Sequence, residues 1–223
     1  MNIKAVLFDH DGTIADSEQV HFELWRDVLH KYYVELSHDE YKSLYAGIPT
    51  TTNAKTIVEK HSLEVEPTIL ALAKAEITNE YLVKQAFPLM KGALESVQYF
   101  YEQGLAVGVV TGAGREGVKS TLKNHGLEKY VSVVVSGDDV KNSKPAPDCY
   151  LLAAEKLGLH PWECLVIEDT YNGSLSAIRA NMECIGVSLS PKVRNLFSKT
   201  VYECSDLNIA TQWISQNYQL QAK

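Results

Sequence analysis

The 223-residue chain contains no run of about 18 apolar residues, so no segment of it would cross a bilayer as a helix. Basic residues are outnumbered, 21 against 28 acidic ones, for a formal charge of −7. A general nucleic-acid binder would be basic, which argues against non-specific DNA or RNA binding. Cysteine is sparse: Cys149, Cys164, Cys184 and Cys204 are widely spaced and form no CxxC pair. That pattern fits reduced, packed thiols better than a disulfide frame or zinc site, and points to a cytoplasmic setting. No basic, then apolar, then small-residue leader is seen at Met1-Asn2-Ile3-Lys4. Repeats and low-complexity stretches are lacking as well. What is there, 45% apolar and 22% charged residues, is the composition of a globular protein of one domain, or one domain with an insert.

Short apolar runs at 3–8, 106–110, 131–135, 165–167 and 185–187 read as buried parallel strands. Helical patterns over 91–103, 115–125, 147–157 and 171–181 alternate with them. Gly104, Gly126 and Gly158 sit where left-handed helix caps are expected. Regular alternation of this kind argues for an α/β fold with a doubly wound, mostly parallel sheet.

Residues 16–84 break the alternation with helices alone. Ser17 is placed to cap a helix presenting Phe22, Trp25, Leu29 and Tyr33. Ser37 caps the next, with Asp39 and Glu40 in its first turn. Patterns at 52–60 and 67–83 supply two more. The segment far exceeds a simple crossover and reads as an inserted helical cap, with 1–15 and 85–223 forming the core. It carries 7 basic and 12 acidic residues, so its surface is no general phosphate trap. Residues 13–17, which include Asp16, and 84–88 are the expected hinges. The polar tail, 216–223, is expected to fray.

In a doubly wound sheet, ligands bind beyond the carboxyl ends of the strands. Those ends carry Asp9-His10-Asp11-Gly12-Thr13, then Thr111-Gly112-Ala113-Gly114. Ser136-Gly137-Asp138-Asp139 leads on to Lys144-Pro145, and Glu168-Asp169 closes the series. Asp9, Asp11 and Asp169 converge on one edge, where carboxylates repel and require a cation. All-oxygen donors suit a hard ion, Mg²⁺ before Ca²⁺. Lys144 and Thr111 offer the point charge and the hydroxyl that a phosphate binds. Gly12, Gly112 and Gly114 allow close backbone approach. Alternation sends His10 to the face opposite the two aspartates, as a packed, hydrogen-bonded structural residue. Asp138 and Asp139 are either loop caps or metal-facing.

Asp9-His10-Asp11-Gly12-Thr13 resembles the DxDGT signature of the haloacid dehalogenase superfamily, with His10 in place of the usual apolar residue. Thr111, Lys144-Pro145 and Glu168-Asp169 follow in the order of that family's other motifs. The run from Glu168 through Gly173, then Ala177 and Asn181-Met182, resembles its last motif and following helix. The insert resembles the α-helical cap of the subclass that contains β-phosphoglucomutase and phosphoglycolate phosphatase. The resemblance implies a Mg²⁺-dependent phosphatase of a small phosphorylated metabolite, a sugar phosphate or similar monoester, working through an aspartyl phosphate. In it Asp9 is the nucleophile, and Asp11 is general acid and then general base. Thr111 and Lys144 bind the phosphoryl group. Asp9, Asp11 through its carbonyl, and Asp169 hold the metal, with Glu168 touching it or standing behind it. Gly112 and Ala113 line the substrate.

The cap offers His21, four residues before Trp25 on the same helix face, as a substrate contact or a plain helix residue. Mutases of this group carry Gly-x-x-Arg in a cap loop. Here Gly47-Ile48-Pro49-Thr50-Thr51-Thr52-Asn53 places Thr51 there, or Thr50 with a small shift. Hydroxyls do not grip a second phosphate as arginine does. Arg115 is the candidate substitute from the core side. Hydrolysis is therefore expected, with a β-phosphoglucomutase-type mutase as the alternative. The expected partner is a small phosphate ester, not nucleic acid or membrane, and the expected state a monomer. A signalling receiver module fits poorly, because Asp9 ends the first strand and a helical insert follows it.

Overall fold

A computed structural model of the chain describes residues 2–195, 197 and 199–220. Two short strands, β1 (Asn2–Ile3) and β2 (Ala5–Phe8), lead into four helices: α1 (Glu18–His30), α2 (His38–Leu44), α3 (Thr50–His61) and α4 (Pro67–Lys84). The alternating part follows as α5 (Ala93–Glu102), β3 (Ala106–Val110), α6 (Arg115–Asn124), β4 (Val133–Val135) and α7 (Asp148–Leu157). It continues through β5 (Cys164–Glu168), α8 (Tyr171–Arg179), β6 (Glu183–Val187), α9 (Pro191–Arg194), β7 (Tyr202–Cys204), α10 (Leu207–Asn217) and β8 (Gln219–Leu220). Six strands form one all-parallel sheet in the order β4-β3-β2-β5-β6-β7. This is the doubly wound α/β class that the sequence predicts.

The strand order explains where a site can form. From β2 the chain builds outward through β3 and β4, then returns to the other side of β2 with β5. The direction reverses between β2 and β5, and a crevice opens beyond their carboxyl ends. Alternation along β2 supplies both faces of the core. Val6 and Phe8 pack with Val97, Phe100, Val118, Leu207 and Ile214 of α5, α6 and α10. Ala5 and Leu7 pack with Tyr150, Ala153, Leu157 and Ala177 of α7 and α8. Strands buried on both faces are continuous apolar runs, which is why the sequence reveals them. The four cysteines are buried and unbridged.

The helices between Glu18 and Lys84 bury a cluster of their own, including Trp25, Leu29, Tyr41, Tyr45, Ile57 and Leu70. Two antiparallel segments join them to the sheet. Asp16 N–H donates to the Pro88 carbonyl at 2.8 Å, and Met90 N–H to that of Ile14 at 2.8 Å.

Three local expectations need correction. Helix α1 stops at His30, and Tyr33 lies beyond it in a left-handed conformation (φ 58°), 98% exposed instead of buried with Phe22. The chain has already turned there, with Val34 N–H bonded back to the Leu29 carbonyl. Second, the tail does not fray at 216: Gln219 and Leu220 pair in parallel with Asn2 and Ile3. Trp213 stacks on Tyr202 just before it, at 4.6 Å. Backbone pairing holds this polar segment, and composition does not report that; residues 221–223 lie outside the described set. Third, the helix expected from 91 begins at Ala93, because Gly92 takes φ 83°.

Candidate active site

The register of β2 with β5 sets Phe8 beside Ile167, so the next residues, Asp9 and Glu168, emerge side by side. Asp9 N–H donates to the Ile167 carbonyl at 2.9 Å, which fixes where its side chain begins. Lys144 reaches in from the loop before α7. Its ammonium donates to Asp9 Oδ1 at 2.5 Å, Glu168 Oε1 at 2.7 Å and the Val110 carbonyl at 2.8 Å. All three protons of the ammonium are then used. Burial works against its charge, but Asp9 and Glu168 outweigh that and hold it protonated beyond the usual lysine range.

Glu168 is fully buried and closely held. Tyr150 donates its hydroxyl to Oε1 at 3.0 Å. Oε2 accepts from the N–H groups of Asp169 and Thr170 and from the Thr170 hydroxyl, at 3.0–3.2 Å. Those donors belong to the start of α8, where Thr170 is also the N-cap. A Cβ on Gly173 would fall 1.7 Å from Glu168 Oε1, so only glycine lets the helix approach this closely.

Asp9, Glu168 and Asp169 bring oxygens within 4.8 Å of one another. Burial, and then the charge of Glu168, raise the Asp9 carboxyl, with Lys144 pulling the other way. Burial, Asp9 and Glu168 push Asp169 well above the carboxylate range. One ammonium does not balance three carboxylates, of which Asp9 and Glu168 are buried and Asp169 half-buried. An all-oxygen set with this charge excess fits a hard divalent cation.

Asp11 is set apart from that cluster. Ser17 donates to its Oδ1 at 2.7 Å and Thr111 to its Oδ2 at 3.3 Å, while His10 Nδ1 lies 3.3 Å from Oδ2. Burial alone would raise Asp11, but the His10 ring, His21 and the Ser17 hydroxyl hold it well below the usual range. Two readings change here. The Ser17 hydroxyl does not cap α1 and instead binds Asp11. His10 is packed as expected, with Nε2 3.0 Å from Thr121 Oγ1, yet its other nitrogen turns back to Asp11 and does not stay on the opposite face.

Thr111 also accepts from Ala113 N–H at 3.0 Å, which shapes the exposed Gly112-Ala113 turn. Arg115 donates its N–H to Asp138 and pairs its guanidinium with Asp139, so its charge is already engaged. Asp139 in turn accepts from the N–H and hydroxyl of Ser136. Both acids are thus loop caps. Thr51 stands exposed in the first turn of α3.

The helical side brings residues that the sequence reading passed over. Lys74 is buried, donates to Thr78 Oγ1 at 2.8 Å and sits 3.3 Å from His21 Nδ1. Its ammonium lies 5.8 Å from the Trp25 ring centroid. Burial pushes Lys74 down to about 8, and burial with the Lys74 charge pushes His21 down to about 4. His21 also meets the Phe87 ring edge-on at 5.2 Å. Glu18 accepts from the Tyr41 hydroxyl at 2.9 Å and Gly47 N–H at 3.1 Å, tying α1 to the loop before α3. A signal for Lys74 was available: it falls at i+4 from Leu70 and i−3 from Ile77, on the apolar face of α4.

The family model for haloacid dehalogenase-like hydrolases matches residues 6–187. The chain belongs to that family. It is a hydrolase with the haloacid dehalogenase fold. Its sequence is 34% identical over 184 residues to the fructose-1-phosphate phosphatase YqaB of Escherichia coli, covering 82% of this chain and 96% of that one. It is 30% identical over 187 residues to the phosphorylated carbohydrates phosphatase of Thermotoga maritima, covering 82% and 84%. Among solved structures, the β-phosphoglucomutase of Clostridium difficile superposes with a TM-score of 0.80 over 96% of each chain at 23% identity, a likeness of fold alone.

Proposed function

We propose that this haloacid dehalogenase-like hydrolase is a phosphatase of sugar monophosphates that works through a phosphorylated Asp9. The carrying observation is Lys144, which spans Asp9 and Glu168 beside Asp169, while Asp11 stands apart among hydroxyl donors. Two carboxylates two residues apart are thereby held in different environments, as a nucleophile and an acid/base partner must be. An oxygen of Asp9 attacks phosphorus and the ester P–O bond breaks, while Asp11, ionised in the free protein, takes up a proton brought by the phosphate monoanion or solvent and passes it to the departing sugar oxygen. Water then attacks the aspartyl phosphate, Asp11 takes its proton, and phosphate leaves with Asp9 restored. Lys144 and Thr111 meet the charge on the phosphoryl oxygens, the main demand of such a transfer. Asp9, Asp169 and the Asp11 carbonyl, with Glu168 adjacent, would hold Mg²⁺, which supplies further charge neutralisation.

Residues 16–84 act in this reading as a cap that closes on hinges at 13–17 and 84–88 and sheds water. His21, neutral at pH 7, and Thr51 would meet the sugar. With no arginine in the loop before α3 and Arg115 engaged by Asp139, the cap side favours one phosphate over two. The names of the two curated relatives support a sugar ester. No described helix is long and apolar enough to span a membrane, and a cytoplasmic monomer completes the proposal.

The test is phosphate release with Mg²⁺ from fructose 1-phosphate, other sugar phosphates, phosphoglycolate and nucleotides, beside a β-glucose-1-phosphate isomerisation assay. Steady release from one or a few sugar esters is expected. Isomerisation with little free phosphate would replace hydrolysis with mutase chemistry.

A further inference from the structure

Asp11 is held by three side chains, and they differ in what happens to them when substrate arrives. The Thr111 hydroxyl lies where the transferring phosphoryl group is to bind, so substrate competes for it. Ser17 is the N-cap residue of α1 and lies in the proposed hinge, so cap closure would shift it. His10 does neither. It is 1% exposed, its Nε2 is braced by Thr121 of α6 at 3.0 Å, and its ring lies 6.2 Å from that of Phe87. A Cβ on Gly117 of α6 would come 3.7 Å from the ring, which bounds it on that side.

We infer that His10 is a positioning residue for Asp11: braced by Thr121, it keeps Nδ1 against Oδ2 while the other two donors change partners. This rests on the acid/base role proposed for Asp11 and adds a support from inside the core. A hydroxyl donated by Thr121 to Nε2 selects the tautomer with its proton on Nδ1, the nitrogen that faces Asp11 Oδ2. The histidine then never has to give up its own proton. It fixes the plane in which Asp11 meets the leaving oxygen, and positioning of this kind is lost when an aliphatic side chain stands there.

The test compares His10→Leu, His10→Asn and His10→Gln on fructose 1-phosphate, an alkyl ester, and p-nitrophenyl phosphate, whose leaving group needs no proton. Asn places an amide nitrogen near Nδ1, and Gln places one near Nε2. Expected is a fall of roughly tenfold or more in kcat/KM of His10→Leu on the alkyl ester, with the aryl ester within about twofold of wild type. Asn should recover much of the loss and Gln little. If His10→Leu does not fold, the Asn and Gln pair decides by the same ratio of the two esters. Equal losses on both esters, no loss on either, or equal recovery by Asn and Gln would overturn the inference. An Asp11→Asn enzyme separates the two layers. If Asp11→Asn is inactive on the alkyl ester while His10→Leu matches wild type, the inference fails alone. If Asp11→Asn matches wild type, the acid/base reading fails and the inference with it.

Discussion

Two lysines are buried in this molecule, and their surroundings have opposite effects. Lys144, at the strand ends, meets two carboxylates and a carbonyl and is held charged. Lys74, among the helices, meets a hydroxyl, an imidazole and an indole face, and burial brings it down to about 8. Desolvation acts on both, and only the partners differ. The strand-end region is organised around fixed opposite charges, as group transfer of a dianion requires. The helical region instead sets its buried lysine against uncharged partners.

Removing Lys144 should show the contrast at its largest. Lys144→Met leaves Asp9 and Glu168 buried without their cation, and a loss of about 3–5 kcal/mol in denaturant unfolding is expected, with kcat down roughly 10³-fold or more. A variant that unfolds like wild type would mean the pairing does not hold the site together.

The next largest effect comes from a divalent cation. In the metal-free protein Asp9 and Asp169 titrate above their unfolded values, so over that interval the native state binds more protons. Stability then falls as pH rises from the carboxylate range towards neutrality and above. Mg²⁺ should therefore raise the Tm more at pH 8 than at pH 5, and at a hundredfold excess over Kd its total stabilisation is about 2.7 kcal/mol. An equal shift at both values would detach the cation from these carboxylates.

A smaller effect is expected from Tyr150→Phe, which keeps the ring 4.8 Å from the Lys144 ammonium and removes one donor to Glu168. About 1–2 kcal/mol should be lost in thermal unfolding. Lys74→Met should change stability least at pH 7, by under about 1 kcal/mol, because it removes a cation already disfavoured by burial. Its signature is in the pH dependence. Between about 8 and the ordinary lysine value of 10.5, the unfolded chain binds the proton that native Lys74 has shed. Wild-type stability should therefore gain from Lys74 as pH rises through that window, and the Met variant should lack that gain.

The same contrast explains how far the sequence could be read. Strands β2, β3 and β5 are buried on both faces, so they stand out as apolar runs, and the acids and threonine at their ends, with Lys144 after β4, follow at once. The site contacts of Ser17, Tyr150 and Lys74 were not legible because each is an ordinary member of a helix or its cap in one dimension. Their partners, Asp11, Glu168 and His21, are brought to them by folding alone. His10 was half legible: alternation buries it, but only the turn after β2 shows that one ring nitrogen comes back to Asp11. The tail was misread because β8 is held by its backbone pairing with β1, which leaves no mark in composition.

The central claim is that Asp9 becomes covalently phosphorylated. Rapid acid quench of a single turnover with ³²P-labelled fructose 1-phosphate, followed by peptide mapping, tests it directly. The account predicts transient label on the peptide carrying Asp9 before free phosphate appears, and none on Asp9→Asn. Phosphate released at the normal rate with no label on the chain, or label on another residue, would contradict it.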